Sequence, residues 1–315
     1  MKTPRTNMDE AAPSELELLS TDCAICGPGA SSTQVYAANF TPADFNPDVY
    51  SARRMPDRIH YRLVRCDRCR LLRSDPMATT DVVTRLYRQS TVDYSAEVQN
   101  LRRTYGRYLR RLGALLDRRE SLLEIGCGNG FFLEEAQAQG YRVVRGIEPS
   151  EPACAMAAPS VAAGIVNDVV RPRQFAEASF DVICLFQVLD HLPFPAETLG
   201  EIRRWLRPGG LVLALNHDAG AFSNRLLGER SPIIDIEHTY LYDRRTGPEI
   251  FRRQGFEVVR GTAAWNTYSL SYLVRLLPIP GKQAMLNTLE STIGDRVKLT
   301  VPLGNMAIVA RRPVQ

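Results

Sequence analysis

The sequence predicts an α/β protein, a sheet with helices on both faces, preceded by a small separate module. Three observations predict it. Leu122–Ile125 is an apolar segment that runs through glycines at 126, 128 and 130 into a helical stretch ending near Gln139. Further strand-length apolar segments follow at 141–148, 180–186 and 205–215, separated by helix-length ones. Upstream stand two Cys-x-x-Cys pairs that the α/β pattern does not use.

In chain order, residues 1–18 are polar and without periodicity, and are expected to be disordered. Cys23, Cys26, Cys66 and Cys69 come next. Each two-residue spacer lets a tight turn aim both sulfurs at one ion, so the two turns together form a closed tetrahedral zinc site, and residues 19–80 read as a zinc-binding domain. The 39 residues between the pairs require a small sheet or an insertion. His60 is a rival ligand, and a redox pair is the weaker alternative. With four sulfurs the coordination is full, so the metal is scaffold. Cys127, Cys154 and Cys184 stand singly among apolar residues and read as small buried hydrophobes.

Residues 81–117 read as a helical lid or linker, with one helix from Asp81 to Arg88, then Tyr94, then a long helix from about 97 to 116. Charge is uneven. The whole chain carries +4, yet residues 50–120 hold 17 Arg against 8 acids, a belt that could attract an anion. Because 36 of the 39 basic residues are Arg, the same belt also fits a composition bias and a solvated helix face. No apolar run approaches the ~20 residues of a membrane span and no signal-peptide core opens the chain, so a cytoplasmic protein is expected.

Residues 118–313 are expected to form the main domain. Positive φ at the glycines and the free N–H groups of the helix start make the turn after Ile125 a binding site. A dinucleotide fingerprint would need its third glycine at 131, where Phe131 stands; the pattern is instead Glu-x-Gly-x-Gly-x-Gly from Glu124. Tyr141–Glu148 is the next strand, and its closing acid, 22 residues beyond Gly126, can accept two hydrogen bonds from ribose hydroxyls. Gly164–Asp168 is a short third strand. Phe180–Leu192 gives the fourth strand and its exit, and Trp205-Leu-Arg-Pro-Gly-Gly-Leu-Val-Leu-Ala-Leu215 the turn into the fifth.

These four segments, in this order, resemble class I S-adenosylmethionine-dependent methyltransferases, which have a Rossmann-like sheet. The resemblance implies that Gly126, Gly128 and Gly130 pass under the methionine and ribose of S-adenosylmethionine, that Glu124 orients the loop or the amino group, and that Glu148 holds the ribose. It also implies that Asn167 and Asp168 lie near adenine, while Gln187 ends the fourth strand beside the crevice. The cysteine knuckles, the Asp75-Pro76 pair and the tyrosines before the glycine motif further resemble a bacterial subgroup. That subgroup includes sugar C-methyltransferases and tailoring enzymes of polysaccharides and natural products. In it the N-terminal segment walls the site, which makes Tyr87, Tyr94 and Tyr105 candidates for lining it.

Methyl transfer to a hydroxyl or carbon needs a proton acceptor. Only four histidines exist, and three of them, His191, His217 and His238, follow the fourth and fifth strands. His238, with Glu237 beside it in a segment the subgroup places at the substrate mouth, ranks first, His191 second and His217 third. Asp190 stands where the family more often has Glu, which puts a carboxylate role there in doubt. The leading function is methyl transfer to a small-molecule acceptor, a nucleotide sugar, glycan precursor or secondary metabolite, drawn in as an anion by the arginine belt. A nucleic-acid methyltransferase is the alternative enzyme. A non-catalytic zinc-dependent interaction module is the alternative outside enzymes. The apolar stretch 268–277 is expected either in the core or at a homodimer contact.

Overall fold

A computed structural model describes residues 16–50, 58–91, 98–276, 286 and 296–314. Tyr94 and nearly all of the 1–18 tail lie outside the described residues.

The N-terminal module comprises β1 (Leu18–Leu19), β2 (Ser32–Tyr36), β3 (Leu63–Cys66), β4 (Leu72–Ser74) and β5 (Met77–Ala78), then helices α1 (Thr80–Gln89) and α2 (Val98–Leu112). The main domain follows. Its first half is β6 (Ser121–Ile125), α3 (Phe131–Ala138), β7 (Val143–Ile147), α4 (Glu151–Ala155), α5 (Pro159–Ala162), β8 (Ile165–Val166), β9 (Phe180–Phe186) and α6 (Pro195–Trp205). Its second half is β10 (Leu206–His217), α7 (Phe222–Leu227), β11 (Tyr240–Leu241), α8 (Thr246–Arg253), β12 (Glu257–Ala263), β13 (Asn266–Ser269), α9 (Leu270–Leu276), β14 (Lys298–Val301) and β15 (Asn305–Arg311).

Seven strands make the central sheet in the order β12-β15-β10-β9-β6-β7-β8. The run from β10 to β8 is parallel, and β15 inserts antiparallel between β10 and β12. The inner strands carry the apolar runs that a sheet covered on both faces requires: every residue of β9 and of β6 is buried. Separate clusters pack on the two faces, one around Ile183, Trp205, Phe251 and Ile308, the other around Phe132, Leu133, Val182 and Leu213. Glu124 is the acid in the middle of this burial, in a strand that would otherwise be wholly apolar apart from Ser121.

Several boundaries differ from the sequence pattern for local reasons. The alanine-rich helix expected over 151–158 breaks before Pro159 into two short helices, because proline starts a helix more readily than it continues one. The third strand shrinks to Ile165–Val166. The closing strand is two strands, separated at Pro302, Leu303 and Gly304, where Gly304 has φ +71°. The stretch from 268 is strand and then helix.

The expected sheet between the cysteine pairs exists and has one unforeseen member. Its order is β11-β4-β3-β2, so the main domain lends β11 to the N-terminal module. Tyr240 pairs with Arg73 and Leu241 with Leu72, and the amide of Ser74 donates to the carbonyl of Thr239 at 2.8 Å. The strand that the module borrows therefore begins two residues after His238.

Candidate active site

One cavity of about 1060 Å³ lies along the carboxyl edge of the parallel strands, where open α/β sheets bind ligands. It divides into a half lined by the glycine turn and a half lined by histidines.

The first half is mostly backbone geometry. The turn after β6 returns onto the end of β7, the amides of Gly126 and Cys127 both donating to the carbonyl of Ile147. Gly126 has φ +71°, and a Cβ there would stand 2.5 Å from Val188 Cγ2. Gly130, at φ +76°, caps α3. Glu148 holds the turn: its carboxylate accepts from the amide of Gly128 at 2.8 Å and from that of Ser150 at 2.9 Å. Burial pushes the Glu148 carboxyl up, against these two amides. Burial pushes Glu124 well above the ordinary carboxylate range, and repulsion from Glu148 adds to it. Glu124 Oε2 is buried with no hydrogen-bond partner. Two converging buried acids, one with an orphaned oxygen, suit a ligand carrying an ammonium and a sulfonium together with a ribose. The residues present thus fit S-adenosylmethionine.

The other expected contacts divide. Gly126, Glu124, Glu148, Asp168 and Gln187 line the cavity, whereas Gly128 and Gly130 shape the turn behind it. Asn167 turns aside: its amide donates to the carbonyls of Glu148 and Pro149 at 2.9 and 3.1 Å. Asp168 is held by Arg171, which keeps its carboxyl below the usual range. Gln187 takes φ +57°, a left-handed conformation for a non-glycine residue at the exit of β9, and its amide donates to Asn305 Oδ1 at 3.1 Å.

The second half gathers His191, His217 and His238, all of which line the cavity. Ring centroids are 4.8 Å apart for His191 and His238 and 4.7 Å for His217 and His238. Their common partner is Asp190, which is 1% exposed. His217 Nδ1 lies 2.7 Å from Asp190 Oδ2; a carboxylate accepts, so Nδ1 donates and Nε2 is the nitrogen left to the cavity. Burial would raise the Asp190 carboxyl, but the imidazoles of His217 and His191 hold it well below the ordinary range. The shorter side chain at 190 therefore does meet a histidine: it reaches across to the end of β10.

The other two rings are more enclosed. His191 Nδ1 shares a 2.9 Å hydrogen bond with the hydroxyl of Tyr87, and burial pushes its imidazole down to about 3. His238 Nδ1 donates to the carbonyl of Ile233 at 2.9 Å, so the backbone orients this ring; burial and then the neighbouring His217 lower its pKa. Tyr87 on α1 and Tyr105 on α2 line the cavity, Tyr105 stacked 4.0 Å from Phe186. Glu237 lines it as well.

The arginine belt does not. Arg62 pairs with Asp75, Arg102 with Glu134 and Arg110 with Glu135, and Arg73 is buried against Thr21 and Ser32. None of the described residues lining the cavity is Arg or Lys. Its expected part as a substrate funnel finds no counterpart in the described lining.

The four knuckle cysteines converge, their sulfurs all within 4.8 Å of one another. Cys23 Sγ and Cys69 Sγ are 3.4 Å apart, too far for the about 2.05 Å of a disulfide and near the edge of a tetrahedron with Zn–S bonds of about 2.3 Å. His60 is not in the group; its Nδ1 meets the carbonyl of Tyr61 and its Nε2 faces Glu229 at 3.3 Å.

Strand order, glycine turn and acid pair together define a class I S-adenosylmethionine-dependent methyltransferase fold. The chain belongs to the methyltransferase-domain family, whose model matches residues 98–260, 163 of its 315 residues. The ubiquinone biosynthesis O-methyltransferase of Pseudomonas paraeruginosa is 32% identical over 117 residues, covering 35% of this chain and 50% of that protein. The protein of the same name from Neisseria meningitidis is 31% identical over 98 residues, covering 29% and 41%. The chain thus spans about half the length of the curated relatives it matches. Among solved structures, an S-adenosylmethionine-dependent methyltransferase from Archaeoglobus fulgidus superposes with a TM-score of 0.47 at 17% identity, over 70% of this chain and 100% of that one. Among the described residues no helix is long and apolar enough to cross a membrane.

Proposed function

We propose that the protein transfers the methyl group of S-adenosylmethionine to a hydroxyl of a small-molecule acceptor, with His217 as general base and Asp190 as the residue that positions it. The observation that carries this reading is the 2.7 Å contact between His217 Nδ1 and Asp190, set in the same cavity as Gly126, Glu124 and Glu148. Such a pairing fixes the tautomer, so Nε2 can take the acceptor's proton. As the O–C bond forms, the S–C bond breaks with its electron pair on sulfur, and S-adenosylhomocysteine leaves. The order set by sequence alone is thereby revised: His217 rises above His238 and His191, whose rings are more buried and lean toward the neutral form.

An oxygen acceptor accords with the relatives named as O-methyltransferases, and sugars, glycan precursors and secondary metabolites all offer one. A nucleic-acid acceptor is the weaker reading, because several arginines of the belt are engaged in ion pairs. We propose further that Cys23, Cys26, Cys66 and Cys69 hold one structural zinc, which leaves no open position for chemistry. The test is a panel of hydroxylated acceptors with methyl-labelled donor, read by mass spectrometry. Labelled product and S-adenosylhomocysteine should appear in equal amounts, and His217→Ala should abolish both while binding S-adenosylhomocysteine as the unaltered protein does. Turnover unchanged in that variant would refute the base assignment.

A further inference from the structure

We infer that the acceptor is an uncharged molecule with an apolar body and a hydroxyl at one end, and that the acceptor chamber is not built for a nucleotide diphosphate. The inference rests on the methyl-transfer reading above and specifies its second substrate.

The chamber wall opposite the glycine turn is made by Leu226 and Leu227 of α7, Leu270 and Leu273 of α9, Val301 of β14 and Leu303 of the following turn. Four of these six lie beyond residue 260, outside the part of the chain that the family model matches. The wall is fastened to the strand end that carries His217. His217 pairs with Asn305 in the sheet, the amide of Asp218 donates to the carbonyl of Gly304 at 2.9 Å, and the Asn224 amide bridges the carbonyls of Asp218 and Gly304 at 2.7 and 3.4 Å. An acceptor whose hydroxyl meets His217 must therefore lay the rest of itself along leucine and valine.

Charge points the same way. Among the described lining residues there is no Arg or Lys, while Asp235 and Glu237 join Glu124, Glu148 and Asp168 around the cavity. Phosphate recognition calls for guanidinium, ammonium or a helix start; here a diphosphate would meet carboxylates in partly dehydrated surroundings. The same carboxylates favour a cationic methyl donor, so the charge that suits the donor excludes an anionic acceptor. Leu226 is 73% and Leu303 37% exposed, so the apolar surface continues from the chamber to solvent and leaves a way out for a longer tail.

Calorimetry on the full chain saturated with S-adenosylhomocysteine separates the possibilities, with 4-octylphenol and uridine diphosphate glucose as probes. The expected result is saturable binding of 4-octylphenol and none of uridine diphosphate glucose. Leu273→Asp and Leu226→Asp should each weaken octylphenol binding about tenfold or more with S-adenosylhomocysteine affinity kept; Leu226 is exposed, so its variant should fold even where Leu273→Asp does not. Binding of the nucleotide sugar, absence of octylphenol binding by protein that does bind S-adenosylhomocysteine, or wall variants that bind octylphenol normally would overturn the inference. Failure of S-adenosylhomocysteine itself to bind would instead strike the methyl-transfer reading, and this inference with it.

Discussion

The two halves of the cavity are built by different means. The glycine-turn half depends on backbone: positive φ at Gly126 and Gly130, amides of Gly128 and Ser150 on Glu148, and a strand end beneath. The histidine half depends on side chains from the exits of β9 and β10, from the segment before β11, from α1, and from the chain beyond residue 260. A site built from local backbone is tolerant of what surrounds it. A site built from distant side chains answers to every element that holds them, including the cysteine module, whose sheet takes β11 from the segment just after His238.

The largest effect that sharpens this contrast concerns the metal. Structural zinc sites are worth on the order of 10 kcal/mol in binding free energy, and that energy is folding energy for the segment they close. Elemental analysis should find one zinc per chain, lost in Cys66→Ser together with much of the melting temperature. Because β4 pairs with β11, stripping the zinc should also reduce turnover strongly while S-adenosylhomocysteine affinity changes by no more than about twofold. Equal loss in both would show that the two halves share their support.

Removing the base comes next. His217→Ala should slow methyl transfer by about 10²- to 10⁴-fold, and Asp190→Asn should approach the same loss by permitting the wrong tautomer. Cofactor affinity should stay constant in both. If His238→Ala proves the more damaging change, the base moves to the ring bonded to Ile233.

Much of this division was already visible in the amino-acid order. Gly126, Glu148, the apolar runs of β6 and β9 and the cysteine pairs are legible because each states a local physical demand: φ above zero, an acid at a strand end, burial on both faces, a two-residue turn between sulfurs. The partnership of Asp190 with His217 was not, since 27 residues and a helix separate them and only the parallel register of β9 and β10 brings them together. The histidine ranking consequently favoured Glu237-His238, where acid and imidazole are neighbours in sequence. The three histidines after strand ends were the usable signal; choosing among them required knowing which carboxylate was buried against which ring. Likewise nothing in the spacing of Tyr240–Leu241 announces a strand lent to another sheet, and the arginine belt offered no way to foresee that Arg62, Arg102 and Arg110 are paired along the surface.

A smaller effect distinguishes the histidine half by its pH response. His191 sits at about 3 in the folded protein against a model value of 6.5, so the folded state binds fewer protons than the unfolded one. Its contribution to stability is complete above the unfolded value and is lost as pH falls from there toward 3; between pH 6.5 and pH 5 the loss is about 2 kcal/mol. His238 is shifted in the same direction, and Asp190 extends the trend below its own ordinary range. Melting curves should therefore fall steadily below pH 6.5, and His191→Asn should flatten that limb. A melting temperature independent of pH from 7 to 5 would mean that His191 is not held neutral by burial.

The central claim, that the backbone-built half is a binding site for S-adenosylmethionine with Glu148 as its ribose acceptor, is most directly tested by titration calorimetry of S-adenosylhomocysteine against the unaltered protein and Glu148→Gln. The unaltered protein should bind one equivalent, and the variant should bind at least about tenfold more weakly, the roughly 1.5 kcal/mol of a charge-assisted hydrogen bond, with its melting close to that of the parent. Equal affinity in the two proteins, or binding of NADH in place of S-adenosylhomocysteine, would contradict it.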